Sequence, residues 1–85
     1  MHREEKMDRR VVFDDIRSER IRQELLWGSE TAASIDKPDN SKMLILVEEV
    51  GEVANACLEN KPVADLYEEL IQVAAVAAAW AESLL

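Results

Sequence analysis

The chain has 85 residues, 48% of them hydrophobic, and its 18 acidic and 10 basic side chains leave a formal net charge of −8. This length predicts a single domain near the lower limit for folding alone, which favours oligomerisation, and the charge argues against a nucleic-acid polymer, whose binding needs Lys and Arg at the phosphates. With two prolines and two glycines among many Ala, Leu, Glu and Val, the composition predicts an all-α fold without a sheet.

The N-terminal part is predicted to form one helix and a loop. Residues 1–10 are charged and without periodicity, so we expect them to fray. They lack the apolar core of a signal peptide, and no run approaches the ~18 apolar residues of a membrane span, which predicts a cytoplasmic protein without a membrane partner. Residues 28–40 are rich in Ser, Thr, Asp, Asn, Gly and Pro, which indicates a loop with at most one short helical turn. Between these segments a helix is predicted from Val11 to Trp27, with a broken apolar stripe of Val12, Phe13, Ile16, Ile21 and Leu25.

Two further helices are predicted to pair as a hairpin. Asn40 or Ser41 can cap a second helix that ends near Asn60, and Pro62 suits the first turn of a third helix that ends near Leu84. The segment 60–62 is therefore a tight turn between antiparallel helices. Within one domain, 1–85, residues 1–40 form the N-terminal helix and loop, and residues 41–85 form the hairpin.

The third helix is apolar on every side between Leu70 and Ala81, apart from Gln72. A helix without a polar face is surrounded by protein, and one partner helix plus a short arm can hardly cover this surface. We therefore expect a second subunit that completes a four-helix-bundle-like core.

Acidic side chains of the two hairpin helices are predicted to meet. Along each helix the distance from the turn grows by about 1.5 Å per residue. Glu52 and Glu69 therefore lie at the same level, both about 12–14 Å from the turn. Glu49 and Gln72 likewise share a level at about 17–18 Å from the turn. The spacing of three stacks each pair on one face of its helix, and Glu48 falls on the other flank of Glu52.

Most glutamates on helices belong to a solvated face, but these are interleaved with apolar positions and are expected to face partly inward. Two carboxylates about 6 Å apart repel by roughly 3 kcal/mol at an effective dielectric of 20. Such a cluster needs a compensating cation or raised pKa values. Oxygen ligands without His or Cys suit Mg²⁺ or Mn²⁺ far better than zinc.

The motifs Glu49-Val50-Gly51-Glu52 and Glu69-Leu70-Ile71-Gln72 resemble the signature of the MazG-like, all-α nucleotide pyrophosphohydrolases, Glu-x-x-Glu on one helix and Glu-x-x-Asp on the next. The similarity spans roughly residues 42 to 82, and the segment 19–28, ERIRQELLWG, is more weakly similar to the lead-in of some short members. The resemblance implies Mg²⁺-dependent hydrolysis of a nucleoside triphosphate, often a deoxynucleotide, to the monophosphate and pyrophosphate, by a homodimer or homotetramer.

Carried over residue by residue, the resemblance implies that Glu52 and Glu69 bind the metal, and that Glu48 and Glu49 are further ligands or orient the attacking water, with Glu49 as the candidate general base. Gln72 departs from the pattern because it stands where the family has Asp. Its amide oxygen could still bind metal or water, although one negative charge is lost. The alternative is a buried amide that is hydrogen-bonded across an interface.

Two residues outside the motifs are candidates for substrate binding. Trp27, beside Gly28 at the start of the loop, could stack on a base or simply pack, and Lys42 could reach a phosphate or be solvated. Trp80 lies in the apolar third helix and is expected in the core. The arginines of the first helix could contact phosphates or form surface ion pairs with Glu19 and Glu24.

Three hypotheses follow from these motifs. The first is a house-cleaning nucleoside triphosphate pyrophosphohydrolase. The second is a noncatalytic oligomerisation or regulatory module that keeps the fold but has lost activity at Gln72. The third is a related enzyme acting on phosphoribosyl-ATP, which shares the chemistry but fits the lead-in and the alanine-rich third helix less well.

Overall fold

The computed structural model describes the backbone of residues 2–85 and the side chains of residues 7–85. Its elements are α1 (His2–Trp27), a short 3-10 turn (Gly28–Glu30), α2 (Asp39–Leu58) and α3 (Val63–Ser83). Residues 2–85 contain no strand, which confirms the all-α prediction, and the single short turn in the loop agrees with the sequence. Over the same residues, no helix combines the length and the apolar character that crossing a membrane requires.

Two helix starts differ from the prediction. Helix α1 begins at His2, well before Val11, so the charged N-terminal segment is helical rather than frayed. Helix α2 is capped by Pro38 rather than by Asn40 or Ser41, and no side chain caps it. The extended Pro38 (φ −66°, ψ 153°) places its carbonyl to accept from the amides of Ser41 and Lys42, at 3.1 and 3.2 Å. A proline fixes φ near this value, so the backbone alone starts the helix.

The turn between α2 and α3 lies where the sequence predicts it. Asn60 adopts the left-handed conformation (φ 50°), the amide of Lys61 donates to the carbonyl of Ala56 at 3.0 Å, and the amide of Asn60 donates to Cys57 at 3.2 Å. This pair of bonds is a Schellman motif, which satisfies carbonyls at the end of α2. Pro62 then caps α3, one residue before the helix begins, and reverses the chain.

Helix α3 lies between the other two helices and contacts both. The apolar core is small: a buried cluster of Ala32, Val76 and Ala79 packs against Ile45 and Trp80. The loop therefore contributes to the core, since its Ala32 is inserted against α3. Trp80 is half-buried there and donates its indole N–H to Asp39 at 2.9 Å, as expected for a packing residue.

Polar contacts hold α1 against α3. Arg20 donates from Nε to Glu82 at 2.9 Å, and the hydroxyl of Tyr67 donates to Asp15 at 2.6 Å. The predicted apolar stripe of α1 is only partly correct, because Val12 and Ile16 are half-buried. The other members of that stripe are exposed: Phe13, Ile21 and Leu25.

Each hairpin helix also carries an apolar stripe that the single chain leaves largely uncovered. The two stripes have the alternating spacing of four and three residues that is typical of coiled-coil contacts. The α2 seam consists of Met43, Val47, Val50, Ala54 and Cys57, which are all exposed. The α3 seam consists of Leu70, Ala74, Ala77, Ala81 and Leu84, of which all but the half-buried Ala74 are exposed.

Candidate functional site

A pocket of about 380 Å³ opens between α1, the loop and the hairpin. Helix α1 lines it with Arg22 and Trp27, α2 with Glu48 and Glu49, and α3 with Gln72. An adjoining cavity of about 520 Å³ shares Arg22 and Gln72 with the pocket. The volume of the pocket lies within the range of small-molecule sites. Its lining combines the aromatic ring of Trp27, the positively charged guanidinium of Arg22 and carboxylates.

Gln72 lies between carboxylates of both hairpin helices. With its amide nitrogen turned toward them, it donates to Glu49 Oε2 and to Glu69 Oε2, each at 3.2 Å. The opposite orientation would set the amide oxygen against two carboxylates, which are acceptors only, so the hydrogen-bond network assigns the nitrogen to this side. Glu49 and Gln72 therefore lie at the same level of the hairpin, as counted from the turn.

Glu49 is the carboxylate most affected by this cluster. Partial burial raises the pKa of its carboxyl group above the usual value of 4.5, and the negative charges of Glu69, Glu52, Glu19 and Glu48 raise it further. Both causes disfavour the ionised form. The predicted mutual repulsion of these carboxylates is therefore present at Glu49.

The rest of the predicted acidic set is more open to water. Glu69 is half-buried, whereas Glu48 and Glu52 are exposed, so the expectation that Glu52 faces inward is not met. Among residues 7–85, no three His, Cys, Asp or Glu side chains form a group that could hold a metal ion as they stand. In this arrangement the Gln72 amide fills the space between Glu49 and Glu69.

Arg22 brings positive charge to the acidic pocket. Its guanidinium makes a two-pronged contact with Glu19, from Nε at 2.8 Å and from Nη2 at 2.7 Å. The hydrogen bond with Glu19 raises the pKa of Arg22, and the negative charges of Glu49 and Glu68 add to this effect. The same hydrogen bond lowers the pKa of Glu19, which is ionised at neutral pH.

The two candidate substrate-binding residues occupy different places. Trp27 is 61% exposed and lines the pocket, so its ring is accessible to a ligand. Lys42 is 2% exposed, and its ammonium donates to the Ser83 hydroxyl at 2.6 Å. The structure does not bring Lys42 to the pocket, because its side chain is covered by the C-terminal end of α3. The prediction of a phosphate contact by Lys42 is therefore corrected.

Sequence reasoning gave too little weight to Glu19 and Arg22. Their spacing of three residues on one helix indicated only a surface ion pair. The signal that could have singled them out was their position one to two turns before Trp27, on the side of α1 that turns toward the hairpin. Packing of α1 on α3 decides that side, and the exposed apolar residues of α1 obscured it.

Comparisons with known proteins identify no relative. No family model matches the chain, and neither a curated protein nor a solved structure matches it. The resemblance to MazG-like enzymes therefore rests on the sequence alone.

Proposed function

We propose that the protein is a divalent-cation-dependent nucleoside triphosphate pyrophosphohydrolase, with the pocket between α1 and the hairpin as its active site. The observation that carries the proposal is the meeting of Glu49 from α2 with Glu69 and Gln72 from α3, at the edge of a pocket that Glu49 and Gln72 line together with Arg22 and Trp27. These are the groups that a nucleotide needs: oxygen donors for a cation, positive charge for phosphates, and an aromatic ring for the base.

The donor chemistry fits Mg²⁺, with Mn²⁺ as a substitute, because the cluster offers only carboxylate and amide oxygens. The raised pKa of Glu49 supports the same assignment, since crowded negative charge is what a cation relieves. Glu49 and Glu69 would hold the ion, and Glu48 and Glu52, whose charges act on Glu49, are the candidates for further ligands. When bound, Mg²⁺ would neutralise negative charge on the phosphate oxygens.

The protein's own residues have distinct parts in the proposed reaction. Arg22 contacts phosphate oxygens, and Trp27 stacks on the base. Such stacking does not select one base over another, because every base has an aromatic face. Glu49 accepts the proton of the water that attacks the α-phosphorus, while the bond from that phosphorus to the departing pyrophosphate breaks. The position of Glu49 in the pocket lining, beside Gln72, suits this role, because a general base must lie within reach of the water whose proton it takes.

Assembly is part of the proposal. The chain exposes 6417 Å² of surface at a mass of 9.6 kDa, whereas a folded monomer of that mass exposes about 5,100 Å². The excess of about 1,300 Å² is larger than the roughly 800 Å² that each partner buries in a standard interface. We propose that the α2 and α3 seams pack against those of a second copy, which completes a four-helix bundle in a homodimer or in a tetramer of such dimers.

A noncatalytic module of the same fold is the second candidate. It is favoured by Gln72, which replaces a carboxylate of the motif, and by the absence of a ready three-carboxylate group among residues 7–85. On this hypothesis the amide hydrogen bonds are purely structural and the pocket has no substrate.

Pyrophosphate release decides between the two. Purified protein is incubated with each dNTP, each NTP and phosphoribosyl-ATP, in Mg²⁺ and in Mn²⁺. We expect release from at least one nucleotide and a loss of 100-fold or more in Glu49→Gln and Glu69→Gln, because proton transfer and charge stabilisation are each of about that size. Trp27→Ala should raise KM more than it lowers kcat.

Glu59→Gln is the matched control, since Glu59 lies beyond the end of α2 and outside the pocket. It should retain the wild-type rate. The noncatalytic hypothesis is favoured if no nucleotide is cleaved, or if Glu49→Gln and Glu69→Gln release pyrophosphate as fast as the control.

A further inference from the structure

Helix α1 carries a third row of exposed residues, on the side opposite to its half-buried residues such as Ile16 and Gln23. The positions of this row follow the same alternation of four and three residues as the two seams of the hairpin. The row, named here the α1 seam, consists of Met7, Val11, Asp14, Ser18, Ile21 and Leu25, which are all exposed. The single chain therefore leaves the outer side of α1 uncovered along most of its length.

The α1 seam has the same pattern when it is followed from either end. Its outer positions are apolar, its two central positions are polar, and the spacing is symmetric about Ile16. A contact between identical surfaces around a two-fold axis requires this kind of symmetry, because residue i then meets residue j and j meets i. An antiparallel pair of α1 helices that crosses at Ile16 would bring together these residues of different copies: Met7 with Leu25, Val11 with Ile21, and Asp14 with Ser18.

The polar centre of the α1 seam favours one direction of pairing. In the antiparallel pair, the Ser18 hydroxyl can donate to the Asp14 carboxylate of the other copy. Arg17, which donates to Asp14 of its own chain at 3.0 Å, also keeps positive charge beside this layer. A parallel pair would instead set two Asp14 carboxylates against each other, which is unfavourable. A polar layer within an apolar contact costs some stability but specifies register, so the central residues select the antiparallel arrangement.

The charge of α1 also suits a contact between two copies. The whole chain has a net charge of −8, so two copies repel each other. Residues 7–27, however, contain five arginines and five acidic residues, which leaves this part of α1 without net charge. The antiparallel pair would also set opposite charges side by side at the flanks of the seam, Arg10 near Glu24 of the other copy and Asp8 near Arg22 of the other copy. Two acidic molecules therefore meet at α1 with little repulsion.

We propose that the α1 seam binds the α1 seam of a second copy, with the two helices antiparallel and centred on Ile16. This contact leaves the α2 and α3 seams free, so it can join two of the proposed hairpin dimers into a tetramer. The tetramer rests on the assembly that is part of the proposed function, whereas the α1 pair does not. Two dimers make two α1 contacts at once, and this bivalence strengthens a contact that is weak between two monomers.

The masses of three proteins test the α1 contact. Light scattering coupled to gel filtration should give a tetramer for the wild type, a dimer for Ile21→Glu and a tetramer for Phe13→Glu. Phe13→Glu is the matched control, because Ile21 and Phe13 are 56% and 58% exposed on the same helix and only Ile21 belongs to the α1 seam. Circular dichroism should show equal helix content in all three. An equal fall in mass for both variants would overturn the proposal, since the added charge rather than the seam would be responsible.

A disulfide bond tests the direction of the pair. Val11→Cys and Ile21→Cys are prepared separately, each with Cys57→Ala, and are refolded together from urea before oxidation. The mixture should form a covalent dimer that contains one chain of each kind, which mass spectrometry identifies. Neither protein should form a covalent dimer alone, because two copies of position 11 would lie about 15 Å apart along the antiparallel pair, beyond the ~7 Å between α-carbons that a disulfide spans. A disulfide between two Val11→Cys chains would overturn the antiparallel arrangement.

The α1 contact and the four-helix bundle fail in different ways. If Ile21→Glu keeps the mass of an oligomeric wild type, or if the mixed disulfide does not form, the α1 contact is overturned alone, and the outer side of α1 is left to a different partner. A dimeric wild type that becomes a monomer in Ile21→Glu supports the α1 contact and overturns the bundle. A monomeric wild type overturns both.

Discussion

Glu49 is where burial and like charge act on one side chain. Its carboxyl pKa is raised, so the folded protein keeps this proton to a higher pH than the unfolded chain does. Stability from the protonated group is therefore present at pH values below the ordinary 4.5 and is lost as the pH rises through the raised pKa. At neutral pH the ionised Glu49 is a cost to the fold, which a cation or a neutral substitute should remove.

Glu49→Gln tests this cost in the absence of divalent cations. In EDTA at pH 7 the free energy of unfolding of the variant should be about 0.5 kcal/mol above that of the wild type. The difference is small because solvent reaches this half-buried site and screens the charges. The gain should be clearly smaller at pH 4, where the carboxyl group is mostly protonated in both states of the wild type. Urea denaturation at the two pH values measures it, with Glu59→Gln as control. A gain of equal size at both pH values would mean that packing rather than charge is responsible.

Residue-level prediction succeeded where helix geometry alone decides the outcome. The rise per residue fixes Glu49 and Gln72 at one level, and the structure brings them within hydrogen-bonding distance. The prediction for Lys42 was wrong because it lies on the same side of α2 as Glu49 but at the far end of the hairpin, where Ser83 meets it. Sequence spacing predicts the helix face on which a side chain lies, but not which neighbouring element covers that side chain.

Among the elements, the hairpin turn and the end of the first helix at Trp27 were predicted correctly, whereas the start of the first helix was not. Asn60 and Pro62 carry the backbone preferences that end one helix and begin the next. The segment preceding Val11 has no apolar period, so periodicity assigned it no helix. In the described side chains of α1, charged pairs at a spacing of three or four support the helix instead, such as Arg17 with Asp14 at 3.0 Å and Arg20 with Glu24 at 2.7 Å.

The left-handed Asn60 makes a prediction about the turn. Asn60→Ala should lower the free energy of unfolding by about 1 kcal/mol, because the short polar side chain of asparagine can make local hydrogen bonds that favour a φ of 50° and alanine cannot. Asn60→Gly, which lacks a β-carbon, should equal or exceed the wild type. Urea denaturation followed by circular dichroism measures both. Asn55→Ala is the matched control, since Asn55 is exposed within α2 and alanine favours a helix there. Equal losses for the alanine and glycine variants at position 60 would show that the side chain of Asn60, not its backbone, stabilises the turn.

At the scale of the whole molecule, the single chain is short of buried surface. The third helix was predicted to be surrounded by protein, yet Leu70 and Ala77 remain exposed, and much of the core is alanine. A sequence pattern can indicate that a face needs a cover but not which surface provides it, because this depends on shape complementarity between chains. The matching spacing of the α2 and α3 seams is the feature that supports a second copy as the cover.

Charged substitutions in both seams test the proposed assembly. In Val50→Glu/Leu70→Glu, each glutamate would enter the apolar contact between the two hairpins, where a charge without a partner costs several kcal/mol. Both positions are exposed in the single chain, so the helices themselves should persist in circular dichroism. Light scattering coupled to gel filtration should give a dimer or tetramer for the wild type, a monomer for the variant, and an unchanged mass for Ile35→Glu, which alters an exposed loop residue outside both seams. A monomeric wild type, or a variant that keeps the wild-type mass, would contradict the four-helix bundle and leave the exposed seams without the cover proposed for them.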